Sequence, residues 1–200
     1  MVNYLRFIIF NEVNTNLHLY LLINSNIMEE KPSLLKSAMN YGAMLGIVLI
    51  AVSLIFYLLD ITDSTISTIT TSVVTLGGIY YIQIHYRMNV LGGYMSYGEA
   101  LGVGTVSMIF ASVISAFYLY IFLTFIDASQ IDIAMEQAYN DMVERGMEEE
   151  QINQAMEFST MLMTPGMMAV MGFLGSAFFG FIFSLITSIF TKKQDPSIIE

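Results

Sequence analysis

Four long stretches of the chain carry no charged residue, and this feature constrains the fold more than any other. The stretches are 23, 21, 27 and 34 residues long, at 37–59, 64–84, 100–126 and 158–191. One helical crossing of a bilayer core needs about 20 mostly apolar residues. The sequence therefore predicts an all-α, polytopic membrane protein with four transmembrane helices. We expect these spans at 37–59, 64–84, 98–126 and 165–191.

The composition excludes several classes of function. Charged residues make up 12% of the chain, against about 25% in soluble domains. The absence of cysteine excludes disulfides, thiolate metal sites and cysteine nucleophiles. His18 and His85 are too few for a histidine metal cluster. No basic run indicates nucleic acid. The expected partner is the lipid bilayer, and no cofactor or metal is predicted.

The first 27 residues differ from the rest of the chain. Six asparagines are scattered among apolar residues, and neither apolar run is long enough to cross a membrane. The segment Met28-Glu29-Glu30-Lys31 that follows is typical of a translation start. We interpret 1–27 as a non-native or misassigned extension, 28–194 as the membrane domain and 195–200 as a cytoplasmic tail. The alternative is that 1–27 forms an interfacial amphipathic segment.

The charges between the spans predict the orientation. Basic residues flank the start of span 1, the end of span 2 and the end of span 4: Lys31, Lys36, His85, Arg87, Lys192 and Lys193. The loop after span 1 has two aspartates and no base, and the loop after span 3 has nine acids and only Arg145. Lys and Arg favour cytoplasmic flanks. We therefore predict a bacterial inner-membrane protein with both termini in the cytoplasm.

Small residues recur along the spans at helical spacing. Glycines at such spacing let helix backbones approach closely in a membrane, although the motif alone is weak. We interpret them as packing surfaces rather than as clearance for a ligand. The predicted packing residues are Gly42, Gly46, Gly98, Gly102, Gly172 and Gly175.

The outer half of span 2 is rich in hydroxyl groups, from Thr65 to Thr75. These groups either line a hydrated groove for a small ligand or bond back to the carbonyl four residues earlier, which needs no outside partner. A cavity lined by Ser72, Thr75 and Gly77 would favour transport, and a fully packed core would favour a scaffold.

The loop 127–164 shows helical periodicity in two segments. Ile131, Ala134, Met135, Ala138 and Met142 share one face, and Ile152, Ala155, Met156, Ser159 and Met163 share another. Gly146 is placed to end the first helix, Glu148–Glu150 lie in the first turn of the second, and Pro165 precedes span 4. We predict an extracytoplasmic helical hairpin at 128–164. Its carboxylates suit Ca²⁺ or Mg²⁺, but they lie on several faces and favour a solvated anionic surface.

Catalytic motifs are absent from the sequence. It contains no HExxH, no GxSxG and no P-loop, and the four charge-free stretches hold no Asp, Glu, Lys, Arg or His. Ionisable groups at membrane depth are costly and generally functional, so their absence argues against an enzyme or an ion-coupled carrier. Glu99 is a speculative functional residue at the inner mouth of span 3, with Arg87 as its neutralising partner. The alternative is an interfacial carboxylate favoured by the helix dipole.

One set of residues resembles a known family. It includes a Gly-Gly-Tyr-x-Ser-Tyr-Gly-Glu-Ala motif, an Asp that ends span 3, an acidic hairpin and a Gly-rich fourth span. The matching residues are Gly92, Gly93, Tyr94, Ser96, Gly98, Glu99, Ala100, Asp127, Gly146, Glu149, Gln151, Pro165 and Gly180. Over about 36–193 the chain resembles domain-of-unknown-function family 4199, four-helix bacterial membrane proteins mostly from Bacteroidetes. The resemblance implies the fold and location, and it implies no activity.

The sequence leaves two hypotheses for function. The first is a non-enzymatic scaffold or accessory subunit that acts through helix packing and its acidic outer hairpin, as a homo-oligomer or with a membrane protein partner. The second is a small transporter or channel component for a neutral solute, which needs no buried charge.

Overall fold

The computed structural model describes residues 33–61 and 65–194, which fold into six helices. The helices are α1 (Leu34–Leu58), α2 (Thr65–Asn89), α3 (Tyr97–Ile121), α4 (Ser129–Glu144), α5 (Glu149–Leu162) and α6 (Pro165–Thr191). As predicted, α1, α2, α3 and α6 are long and apolar enough to cross a membrane. The extension 1–27 and the tail 195–200 lie outside the described residues.

Most helix ends follow from local sequence. Ser96 caps α3, because its hydroxyl accepts from the Glu99 amide while the Glu99 carboxylate accepts from the Ser96 amide at 2.8 Å. Pro165 occupies the first turn of α6, as predicted. The helix of predicted span 2 extends five residues beyond residue 84, where the span was expected to end. Polar residues end the apolar stretch there, but the helix continues to Asn89. The chain then turns at Gly92 and Gly93, which have φ of +74° and +102°.

Two shorter helices connect α3 to α6. α3 continues into one π-helical turn, Phe122–Ile126, before α4 begins. Gly146, with φ +72°, follows the end of α4 as predicted. Glu148 precedes α5 as its N-cap, so it lies one position outside the helix in which it was predicted. The residues predicted to share the inner face of each helix are all buried or half-buried, and α4 contacts α5.

The core is centred on α3. This helix makes its most extensive contacts with α6 and α1, and it also contacts α2. Most of the buried apolar residues here are small or medium in size: Ala38, Leu45, Ile79, Ile82, Tyr86, Met95, Ala100, Val103, Met108 and Ala111. Lipid is as apolar as these side chains, so the helices associate by close packing and polar contacts rather than by hydrophobicity.

Glycine permits the closest approach of α1 to α3. A Cβ at Gly42 would overlap the carbonyl oxygen of Ser107 and lie 2.8 Å from the Cβ of Phe110. One turn along α1, a Cβ at Gly46 would lie 3.2 Å from the carbonyl oxygen of Ala111. The α1–α3 contact therefore needs glycine at position 42, and at position 46 it leaves little space for any side chain.

Polar contacts hold the ends of the bundle together. At one end, the Asp127 carboxylate accepts from the Ser129 hydroxyl at 2.5 Å, from Gln130 Nε2 at 3.0 Å and from the Tyr57 hydroxyl at 2.9 Å. These hydrogen bonds hold the pKa of Asp127 below its ordinary value, and the bond from Ser129 has the largest effect. At the other end, Met95 and Lys193 exchange two backbone hydrogen bonds of 2.9 and 2.8 Å.

A substitution of Gly42 by alanine tests the α1–α3 contact. We expect Gly42→Ala to lower the free energy of unfolding in detergent by about 1–3 kcal/mol, because the added methyl forces α1 away from α3. Thermal unfolding, followed by circular dichroism, measures the change. Gly98→Ala is the control, because no described heavy atom lies within 4 Å of a Cβ there. Equal stability of the two variants would contradict the proposed contact.

Candidate functional site

A groove lies between the helices in the half of the bundle nearest to α4 and α5. Its volume is about 750 Å³, within the range of roughly 300–1,000 Å³ that is typical of small-molecule sites. The α2 residues that line it all carry hydroxyl groups. The other lining residues, from α1, α3 and α6, are Leu49, Ser53, Phe56, Met108, Gly172, Gly175, Ser176, Phe179, Gly180 and Phe183.

The two sides of the groove differ in chemistry. The α2 side consists of Ser67, Thr68, Thr71, Ser72 and Thr75. The opposite side, from the other three helices, is mostly apolar and aromatic, with glycines of α6 where a side chain would otherwise fill the space. The arrangement can therefore hold a molecule that has one polar and one apolar edge.

The hydroxyls of α2 are satisfied within their own helix where the structure shows their bonds. Ser72 Oγ donates to the carbonyl oxygen of Thr68 at 2.8 Å, and Thr75 Oγ1 donates to that of Thr71 at 2.7 Å. A hydroxyl that donates its proton still has lone pairs to accept with. These two residues thus bond back to their own helix and also line the groove.

The groove carries no charge. None of its fifteen lining residues is Asp, Glu, Lys, Arg or His. A charged molecule at membrane depth needs a compensating group, and none lines this site. The groove therefore suits an uncharged occupant.

A buried polar layer lies beyond the end of the groove that is farther from α4 and α5. Gln83 of α2 is fully buried, and its Nε2 donates to the Ala100 carbonyl at 3.1 Å and to Ser188 Oγ at 3.0 Å. Its Oε1 accepts from Thr191 Oγ1 at 2.9 Å. Beside it, Gly104 provides the space, because a Cβ there would lie 2.7 Å from Gln83 Nε2. The layer joins α2 to both α3 and α6.

Arg87 and Glu99 lie away from the groove and do not pair with each other. Arg87 Nη1 donates to the carbonyl oxygen of Thr191 at 2.7 Å, which fastens α2 to the end of α6. Glu99 forms the N-cap of α3 with Ser96. Each of these side chains thus hydrogen-bonds to a backbone group, Arg87 at Thr191 and Glu99 at Ser96.

The six predicted packing glycines fall in different environments. Gly42 and Gly46 lie in the close α1–α3 contact. Gly102 and Gly172 make ordinary contacts with Leu34 and Leu119, at 3.5 and 3.4 Å from a Cβ position. Gly98 and Gly175 have no described heavy atom within 4 Å, and Gly175 lines the groove instead.

Sequence analysis missed the Gln83 layer and misplaced Gly77. Ser184, Ser188 and Thr191 recur on one face of α6 at a spacing of four and three residues, and this polar stripe could have revealed a buried partner such as Gln83. Gly77 does not line the cavity, since it lies on an exposed face of α2 with no described heavy atom within 4 Å.

The chain was compared with known proteins. The model of the family described as "Protein of unknown function (DUF4199)" matches residues 40–193. No curated protein and no solved structure matches the chain. The family match covers α3, α6, the groove and the Gln83 layer.

Replacing Gln83 tests the polar layer. Gln83→Met preserves the approximate volume but removes hydrogen bonds to α3 and α6, so we expect a loss of about 1–2 kcal/mol in unfolding free energy. Thermal unfolding in detergent measures it. Gln154→Met, at an exposed position of α5, is the matched control and should leave stability unchanged. A Gln83 variant as stable as this control would show that the layer adds nothing.

Proposed function

The chain belongs to the DUF4199 family, and we propose that it is a non-enzymatic membrane protein that holds a neutral solute in its groove, as a small transporter or a component of one. The observation that carries this proposal is the charge-free, hydroxyl-lined cavity of about 750 Å³ within the membrane-spanning helices. A bundle built only for packing would fill this space with side chains.

In this conformation, packed and hydrogen-bonded side chains lie between one end of the groove and the far end of the bundle. Met108 and Gly180, which are in contact, lie at the inner part of the groove, and Gly104, Ser184 and Gln83 lie beyond them. A solute that crosses the membrane therefore needs this layer to open. Because only hydrogen bonds and close packing hold α2 here, separation of α2 from α6 is the movement that we infer.

We propose that the protein lies in the inner membrane of a bacterium, with both termini in the cytoplasm and α4–α5 as an outer helical hairpin. The distribution of basic and acidic residues supports this orientation. In this orientation the groove lies in the outer half of the membrane.

A scaffold or accessory role is the second candidate. It is favoured by large apolar side chains that remain exposed on the amphipathic helices, since Phe158 and Met161 of α5 are 62% and 71% exposed. Exposed apolar groups among carboxylates suit contact with a membrane protein partner or a second copy. Crosslinking in native membranes followed by co-purification tests it. A stoichiometric partner would support this role, and its absence would oppose it.

Filling the groove tests the transport proposal. Liposomes that contain the protein should pass at least one of a panel of small neutral solutes several-fold faster than empty liposomes, as measured by stopped-flow light scattering. Gly175→Leu should abolish this difference, because Gly175 lines the groove and no described heavy atom lies within 4 Å of a Cβ there.

Gly77→Leu is the matched control for this flux experiment. It adds the same side chain to an open glycine of a spanning helix outside the groove. Its flux should equal that of the unmodified protein. Flux that is absent for every solute, or that persists in Gly175→Leu, would contradict the proposal.

The absence of cysteine makes the orientation directly measurable. A single cysteine at the exposed Glu157 of α5 should react with a membrane-impermeant maleimide on intact spheroplasts. A cysteine at the exposed Gln194, beyond α6, should react only after lysis. The opposite pattern would invert the orientation, and the unsubstituted chain is the control for background labelling.

A further inference from the structure

We propose that the occupant of the groove is a neutral, lipid-like alcohol, bound with its hydroxyl against α2 and its hydrocarbon part against α1 and α6. This inference rests on the proposed function, because it names the class of molecule that the same site would take. Three properties of the groove select this class: its charge, its two unlike sides and its size.

The first property excludes ions. The lining residues are uncharged, so an ionised carboxylate, phosphate or ammonium group would lose its hydration without gaining a partner. The sequence has charge outside the spans, on the acidic 127–164 segment, and none in the spans next to the groove. An occupant of the groove is therefore neutral.

The second property requires a hydrogen-bond donor at one edge of the occupant. Ser72 and Thr75 direct their protons to carbonyls of their own helix and keep lone pairs free to accept. On the opposite side, Phe56, Phe179 and Phe183 offer only apolar surface. An alcohol satisfies both sides, since it donates at one end and buries hydrocarbon along the rest.

The third property is size. The groove has a volume of about 750 Å³, within the range of roughly 300–1,000 Å³ that is typical of small-molecule sites. A lipid-like alcohol is a small molecule of this class.

Photolabelling tests the class of ligand. The protein is placed in phosphatidylcholine nanodiscs with a long-chain primary alcohol that carries a diazirine, with its methyl ether or with its sulfate ester, and labelled peptides are mapped by mass spectrometry. The alcohol should label groove peptides about fivefold more than the ether, as expected for one hydrogen bond. The sulfate ester should label them least. Equal labelling by all three probes would overturn the proposal.

Paired variants locate the labelling. Gly175→Leu should abolish it and Gly77→Leu should retain it, since only the first position lines the groove. Thr75→Val should reduce labelling by the alcohol to that of the ether, whereas Thr70→Val, on the same helix but outside the lining, should not. Labelling that survives Gly175→Leu would overturn the assignment to this groove.

Two further results show whether the alcohol comes from the bilayer or from solution, and whether ligand binding and transport stand or fail independently. A neutral lipid retained by the protein from native membranes, and lost from Gly175→Leu, would identify the bilayer as the source; occupancy by the added probe alone would identify a solute. Labelling without solute flux would uphold the ligand class and refute transport. Flux with labelling that ignores the hydroxyl would uphold transport and refute the ligand class.

Discussion

The whole arrangement depends on how closely α3 allows its neighbours to approach. Helices in lipid gain little from burying apolar side chains and associate where small residues bring backbones together. Gly42 of α1, Gly104 of α3 and Gly180 of α6 each have a neighbouring atom within 3 Å of a Cβ position. Gly42 brings α1 close to α3, Gly180 brings α6 close to α3, and Gly104 brings α3 close to both α6 and α2.

The position of α2 explains why the bundle has a groove. Towards its C-terminal end, this helix is held by Gln83 and Arg87, which hydrogen-bond to α3 and α6. Towards its N-terminal end, Ser72 and Thr75 hydrogen-bond to the backbone of α2 itself. The facing part of α6 has Gly172 and Gly175, which lack side chains to reach across. The missing side chains of these two glycines leave the open volume.

The number of spans and several helix ends were predictable from sequence because each depends on local features. Charge-free length determines a span, Gly146 and Pro165 mark helix boundaries, and the apolar periodicity of α4 and α5 identified their less exposed faces. The partners of individual side chains were not predictable in this way. Gly98 and Gly42 each begin a GxxxG motif, yet only Gly42 lies in a close contact with another helix. The choice of partner helix and the rotation of each helix are set by tertiary packing, which the local sequence does not reveal. Gln83 was missed for the same reason.

The charged residues and the groove lie in different parts of this chain, so the two candidate functions would use different surfaces. The acids of α4 and α5 lie outside the spans, whereas the groove is neutral and half apolar. A protein partner recognised through carboxylates and exposed apolar groups would therefore bind a surface chemically distinct from the groove, and it need not compete with a neutral occupant. The π-helical turn Phe122–Ile126 joins α3 to α4, and none of its residues lines the groove. A scaffold role and a solute-binding role are compatible in one molecule for this reason.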